Sequence, residues 1–378
     1  MTRPHPLTYC TNIHPGDSWA DVLRNLEGHA LEVKRAVSPD QRFPLGLRIS
    51  AQAAAELNAD ALRRFTEWCG EHDCYVLTLN GFPYGAFHGR AVKQAVYEPD
   101  WRDARRVAYT TRLADILAAW TPSGQPTSIS TVPVAFREGF ADADWPLVKE
   151  HLLTALTHFA RLHDRGGPLV RLAIEPEPCC AIETMDDALD FFERMRFPES
   201  LAEHIGLCFD CCHQAVEFET PAGCLTLLEQ AGVRIAKVQV SSALRARGSA
   251  AAHLLAFDEP TYLHQAIVLK KNGELERLAD LPDLARWLES SSQRGETPEE
   301  CRVHFHVPVF LREIGAIGTT RFFLEDLLPR LPADTPLEVE TYSFGVLPAS
   351  LRLASLSASI ARELAWVRET LDAAHSRH

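Results

Sequence analysis

The stretch LVRLAIEPE (169–177), then a helix-type run over Thr184–Met195, then HIGLCFD (204–210), reads as one strand–helix–strand unit. Both strands are short and apolar almost throughout, as expected of strands covered on both faces. A helical crossover between them makes the pair parallel. Working outward, the pattern repeats. LTYCTNI (7–13), LGLRIS (45–50), YVLTLNG (75–81) and SISTVPV (128–134) precede the unit, and RIAKVQVSS (234–242) and LEVETYS (337–343) follow it. Further helix-type stretches are Asp17–Ala36, Ala51–Cys69, Asp103–Trp120, Asp144–Leu162 and Thr220–Ala231, with Asp17 or Ser18 and Thr184 as plausible caps. Eight strands alternating with helices predict an α/β fold, and closure at eight makes it a (β/α)8 TIM barrel. An open doubly wound sheet is the alternative. No G-x-G-x-x-G or G-x-x-x-x-G-K-[ST] loop follows any strand, which counts against it.

Two segments interrupt the rhythm. NGFPYGAFHGRAVKQAVYEPDW (80–101), after strand three, is rich in Gly, Pro and aromatics. The stretch 241–303 is a long insertion after strand seven, reading as a hairpin around Asn272-Gly273, a helix Leu281–Ser290 and the polar loop SSSQRGETPEE (290–300). Both leave from strand C-termini, where barrel enzymes build their sites, so both are expected to form lids. The run Pro348–Leu371 reads as a closing amphipathic helix. The expectation is one domain over 1–378.

Of 378 residues 46% are hydrophobic, enough for a sizeable core. Acidic residues outnumber basic ones, 51 against 38, for a net charge of −13, and no basic patch is evident. That balance argues against binding to nucleic acid. MTRPHPLTYC has no apolar signal core and no run approaches membrane-spanning length, so a cytoplasmic protein without membrane attachment is expected. Homo-oligomerisation stays open. Cys208-Phe-Asp-Cys211 matches C-x-x-C, but its first cysteine falls inside an apolar strand. The ten cysteines therefore read as reduced and mostly buried rather than as a redox or zinc motif.

Polar residues gather at strand ends: Glu175 and Glu177 after strand five, Asp210 and His213 after strand six, Lys237 and Gln239 on strand seven, Glu340 after strand eight. His304 and His306 lie in the segment before the last helix–strand unit. In a closed barrel these ends converge. Three converging carboxylates without a cation would repel one another, which a divalent ion resolves; the mixed O/N set suits Mn, Zn, Co or Mg. The predicted ligands are Glu175, Asp210, Glu340 and His306, with His304 beside it. His213 either faces the metal or braces Asp210. Glu177 and Gln239 are expected nearby as ligand supports or substrate contacts. His14, Asn80, Tyr84 and His88 are expected to line a substrate pocket, joined by His264 on the hairpin in a lid or core role.

These residues resemble the xylose isomerase-like barrel superfamily over roughly Leu7 to Tyr342. More closely, LTYCTNIHPGDSW, the SPDQ-to-LGLRIS stretch, LNGFPYGAFHG with VK, VY and PDW after it, and YLHQ resemble EboE-type metabolite traffic proteins. The resemblance implies that Glu175 and Glu340 both bind the metal and flank the substrate's carbon acid, and that Asp210 is the strand-six ligand. Gln239 stands where the isomerase and epimerase branch usually has His. His306 can compensate, because His304-Phe-His306 occupies the place of a D-x-H pair in the endonuclease IV branch, whose D-x-x-H is matched by Asp210 and His213. Asn80 and Pro133-Val134 stand where that branch has further histidines, so its trinuclear cluster is not expected.

The function expected is a divalent-metal-dependent isomerase or epimerase of a small polyhydroxylated or carbonyl metabolite. Glu175 and Glu340 would move the proton and Lys237 would stabilise the enediolate charge. A metal-dependent hydrolase or lyase, or a non-catalytic metabolite-binding protein, are the alternatives.

Overall fold

The computed structural model describes residues 5–89, 91–348 and 355–375. Seven strands come first in chain order: β1 Leu7–Tyr9, β2 Phe43–Arg48, β3 Cys74–Asn80, β4 Pro126–Thr131, β5 Leu169–Ile174, β6 Ile205–Asp210 and β7 Ile235–Val240. After them come β8 Leu244–Arg247, β9 Ala266–Leu269, β10 Leu275–Leu278, β11 Glu300–Val303, β12 Glu313–Ile314, β13 Ile317–Thr319 and β14 Leu337–Val339. The first seven and β14 form one parallel eight-stranded sheet in the order β1-β14-β7-β6-β5-β4-β3-β2, wrapped by helices. Cys10 bridges Gly46 in parallel, so the ends of the sheet meet and the barrel is nearly closed. Gly46 permits that approach, since a Cβ there would fall onto the Glu338 carboxylate and within 2.8 Å of the Tyr9 carbonyl oxygen.

All eight barrel strands overlap the apolar runs read from the sequence, and β1 and β14 fall furthest short of theirs, with three residues each. The first ends at Tyr9, where a 3-10 turn Thr11–Ile13 takes over, and the last ends at Val339. Glu340 therefore sits just beyond its strand, as Glu175 does after β5. The first predicted helix is three segments, Trp19–Asn25, a π-turn Leu26–Ala30 and Leu31–Val37, and Ser18 with Asp21 closes its N-terminus reciprocally. The second is two helices, Ala51–Glu56 and Ala59–Glu71, the latter capped by Asn58. The closing helix runs Leu356–His375, and the part of the predicted run over 349–354 lies outside the described residues.

The second sheet is antiparallel, in the order β10-β9-β11-β8-β13-β12, with its own apolar core of Leu244, Leu254, Val268, Leu284 and Phe305. The hairpin expected around Asn272-Gly273 is β9 and β10, with Gly273 at φ 86°. The helix after it runs Leu281–Gln293, three residues longer than predicted. The sheet continues past the hairpin and helix to Thr319. Its central strand β11 leads directly into His304 and His306. No helix among the described residues is long and apolar enough to cross a membrane.

Candidate metal centre

At the mouth of the barrel, carboxylate oxygens of Glu175, Asp210 and Glu340 lie within 4.8 Å of one another, and all three side chains are buried. Each is brought there by a strand end. Asp210 closes β6 and caps the helix Cys211–Val216, its Oδ1 accepting from the His213 amide at 3.0 Å and the Ser241 hydroxyl at 2.8 Å. Its Oδ2 has no protein partner, and neither does Oε2 of Glu175 or Oε2 of Glu177. Glu340 is held differently: its Oε1 accepts amide protons from Asn12 at 2.7 Å, Asn80 at 3.1 Å and Gln239 at 3.1 Å. Gln239 keeps its own Oε1 unpartnered and buried.

Histidines complete the mouth. His213, His304 and His306 are buried, and the combinations Asp210–His213–His306, Glu177–His213–His304 and Cys212–His304–His306 are also within 4.8 Å. Glu177 accepts the Tyr97 hydroxyl at 2.7 Å. All ten cysteines are free, and Cys208, Cys211 and Cys212 are buried, Cys212 beside His304 and His306.

The electrostatics are those of an anionic pit. Burial raises the Glu175 carboxyl well above its ordinary range, with the neighbouring Glu340 and Asp210 charges adding to it. Glu340 is raised in the same way, by burial and then by Asp210 and Glu338. Burial pushes Asp210 up too, but the neighbouring His213 and the hydrogen bonds from the His213 amide and the Ser241 hydroxyl hold it low. Burial drives His304 well below the usual imidazole value and His306 down to about 4, so both rings stay neutral. Orphaned oxygens on Glu175, Glu177 and Asp210 beside neutral imidazoles are a donor set that fits a divalent cation.

The other predicted site residues are distributed unevenly. Asn80, Glu177, His213, His304, His306 and Glu340 line a cavity of about 50 Å³ at this mouth, walled by Phe87, Tyr97, Tyr262 and Tyr342. His14 is buried outside it, its Nε2 at 2.9 Å from the Tyr9 hydroxyl and its ring stacked on His29. Tyr84 faces away, packed edge-on to Tyr109. His88 stands behind the wall: its Nε2 donates to the Asn12 carbonyl at 2.5 Å, and its Nδ1 accepts the Tyr262 hydroxyl at 2.7 Å. His264 is likewise a brace, Nδ1 donating to the His304 carbonyl at 3.0 Å and Nε2 lying 3.1 Å from Glu259. Lys237 lies beneath the cavity with its ammonium 2.5 Å from Glu338, where it compensates a buried charge. Asn12, Tyr97, Gln265, Ser241 and Tyr342 were not singled out by sequence. Asn12, Tyr97 and Gln265 lie in the phrases that carry the family resemblance; Ser241 and Tyr342 had no distinguishing signal.

No protein-family model matches the chain, and no curated protein does. Among solved structures, a xylose isomerase domain protein from Planctomyces limnophilus superposes with a TM-score of 0.54 at 15% identity, covering 100% of this chain and 99% of that one. A xylose isomerase-like TIM barrel protein from Mycobacterium smegmatis, in complex with magnesium, gives 0.54 at 10% identity over 99% and 98%. An L-ribulose 3-epimerase gives 0.51 at 13% identity over 100% and 97%. At these identities the likeness is one of fold alone, an eight-stranded parallel barrel wrapped by helices.

Proposed function

We propose that this barrel is a divalent-metal-dependent isomerase or epimerase of a small polyhydroxylated or carbonyl metabolite. The observation that carries the reading is the meeting of Glu175 and Glu340 with Asp210 in one buried mouth, with oxygens on Glu175 and Asp210 left unpartnered. Glu175, Asp210 and Glu340 would hold the ion, with Gln239 Oε1 available beside them. When bound, such an ion polarises a substrate carbonyl and acidifies the adjacent C–H. Glu175 takes the proton from that carbon and Glu340 returns it, the direction depending on which face of the substrate each meets. Asn12, Asn80 and Gln239 fix the Glu340 carboxylate, so one of its oxygens is committed to structure and the other is free to react. Lys237 acts beneath the site through Glu338 instead of touching substrate.

The cavity, about 50 Å³, has room for an ion and waters. The wall over it is built by residues 81–89, 91–98 and 258–264 and is pinned by the His88–Tyr262 hydrogen bond. The phrases that resemble EboE-type proteins supply much of this wall, which supports a role for the chain in metabolite traffic of that class. The magnesium-bound and epimerase structures named above support the metal and the reaction class.

The test is solvent deuterium incorporation at carbon, measured across a panel of ketoses and cyclic polyhydroxy ketones with metal-reconstituted protein. Exchange that disappears in Glu175→Gln and Glu340→Gln is the expected result. Consumption of a substrate with water and no exchange would move the reading to a hydrolase or lyase. Tight binding with neither would make the chain a carrier.

A further inference from the structure

The foot of the barrel, opposite the mouth, holds a cavity of about 630 Å³ that the proposed reaction leaves unused. It opens among the N-terminal ends of β4, β5 and β7 and the segment 330–336 that leads into β14. Its size is that of a small-molecule site. Barrel interiors are ordinarily filled by layers of branched side chains. Here the residues above the cavity are small: Ala236, in its wall, packs with Ala173 and Cys208, and Gly206 on β6 lies beside Ala236. Leu225, Leu228 and Val233 give the cavity an apolar side.

Three arginines line the same space: Arg171 on β5, Arg234 just before β7, and Arg330. Arg330 is paired with Asp326 at 2.7 Å. Neither of the other two forms an ion pair with a described residue. Arg171 is half-buried, and its Nε donates to the Glu203 carbonyl at 3.3 Å, which leaves its terminal nitrogens unspent. Burial, and after it the Arg234 charge, hold the Arg171 guanidinium below its usual value; Glu203 and Asp334 pull the other way without reversing this. Cations that share a cavity without partners repel, and an anion between them turns the repulsion into attraction. A guanidinium presents a planar fork of donors that matches a phosphate or a carboxylate. Glu229 and Asp334 also line the cavity and disfavour a polyanion, which limits the head to one or two charges.

We propose that the foot of the barrel is a second binding site, for a small anion with an apolar body, an aryl or acyl phosphate or carboxylate. Arg171 and Arg234 grip the head, and Leu225, Leu228 and Val233 receive the body. The site lies at the other end of β5 and β7 from Glu175 and Gln239, with the Lys237–Glu338 pair between them. It therefore stands or falls independently of any ion at the mouth.

The experiment is isothermal titration calorimetry of the full-length protein with phenyl phosphate, phenylacetate and inorganic phosphate. One equivalent of an aryl anion per chain is expected, held about tenfold more tightly than inorganic phosphate, and the tighter of the two identifies the head. Arg171→Gln and Arg234→Gln should each weaken it by about tenfold, the loss of one charged hydrogen-bonding partner. Glu175→Gln with Glu340→Gln should leave it unchanged. No binding of either aryl anion at millimolar concentration overturns the proposal, as does binding that survives both arginine substitutions or is lost in the mouth variant. Inorganic phosphate held as tightly as phenyl phosphate overturns the apolar body. The wild type decides even where an arginine variant fails to fold. The bound aryl anion should protect Arg171 and Arg234 from phenylglyoxal, read peptide by peptide, and modification at an undiminished rate overturns the site.

Discussion

Lys237 and Glu338 face each other across β7 and β14 at 2.5 Å, one layer beneath Gln239 on β7 and Glu340 just past the end of β14. Both are about 1% exposed, so the pair is a charge-neutral floor under the acidic mouth. Breaking a buried pair from one side leaves an uncompensated charge, at a cost of about 3–5 kcal/mol. Lys237→Met should therefore lower stability by that order in urea unfolding, and Lys237→Met with Glu338→Leu should recover most of it. Equal loss in the single and double variants would show that the ammonium has another partner.

Metal binding should raise thermal stability by mass action, because the unfolded chain lacks the converged ligands. At 100-fold excess over the dissociation constant the gain is about 2.7 kcal/mol per site. Calorimetry before and after chelator treatment should show a lower Tm in the stripped protein, restored by zinc or manganese. In Asp210→Ala the chelator should move the Tm far less.

Glu363 provides a pH test away from the mouth. It is 1% exposed, accepts from Thr341 at 2.7 Å and from the Val309 amide at 3.1 Å, and burial raises it to about 7. A carboxyl raised in the folded state favours folding in its protonated form. Its contribution is fully present below the unfolded value near 4.3 and is lost as pH rises toward 7, about 3 kcal/mol in all. Unfolding free energies at pH 5 and pH 8 should differ more in the wild type than in Glu363→Gln. An unchanged difference would remove Glu363 as the source.

The wall over the site should loosen when its pin is cut. His88→Leu removes the hydrogen bonds to the Asn12 carbonyl and the Tyr262 hydroxyl, a loss of about 1–3 kcal/mol. Amide hydrogen exchange should accelerate in residues 81–98 and 258–264, while β5 and β6 stay protected. Acceleration spread evenly over the barrel would argue for global destabilisation instead.

Strand identity and the barrel class were legible because they are local. Each run from Leu7 to Val339 carries its own apolar pattern, and Glu175, Asp210 and Glu340 follow their strands by covalent adjacency. A closed parallel sheet then gathers those ends whatever the loops do. The loops decide the rest. His304 and His306 reach the mouth because β11 is locked between β8 and β9 in a second sheet, and long-range pairing of that kind leaves no periodic trace in the sequence. His14, Tyr84 and His88 follow apolar strands as Asn80 does, yet they pack behind the wall or away from it, and Lys237 meets Glu338 below it. Which nitrogen of each histidine faces inward depends on carbonyls at Pro176 and Glu340 and on the Gln265 amide, groups far from those rings in the chain. Side-chain alternation is a property of neighbours in sequence, and hydrogen-bond partners are a property of neighbours in space; the first determined this barrel, and only the second decided its site.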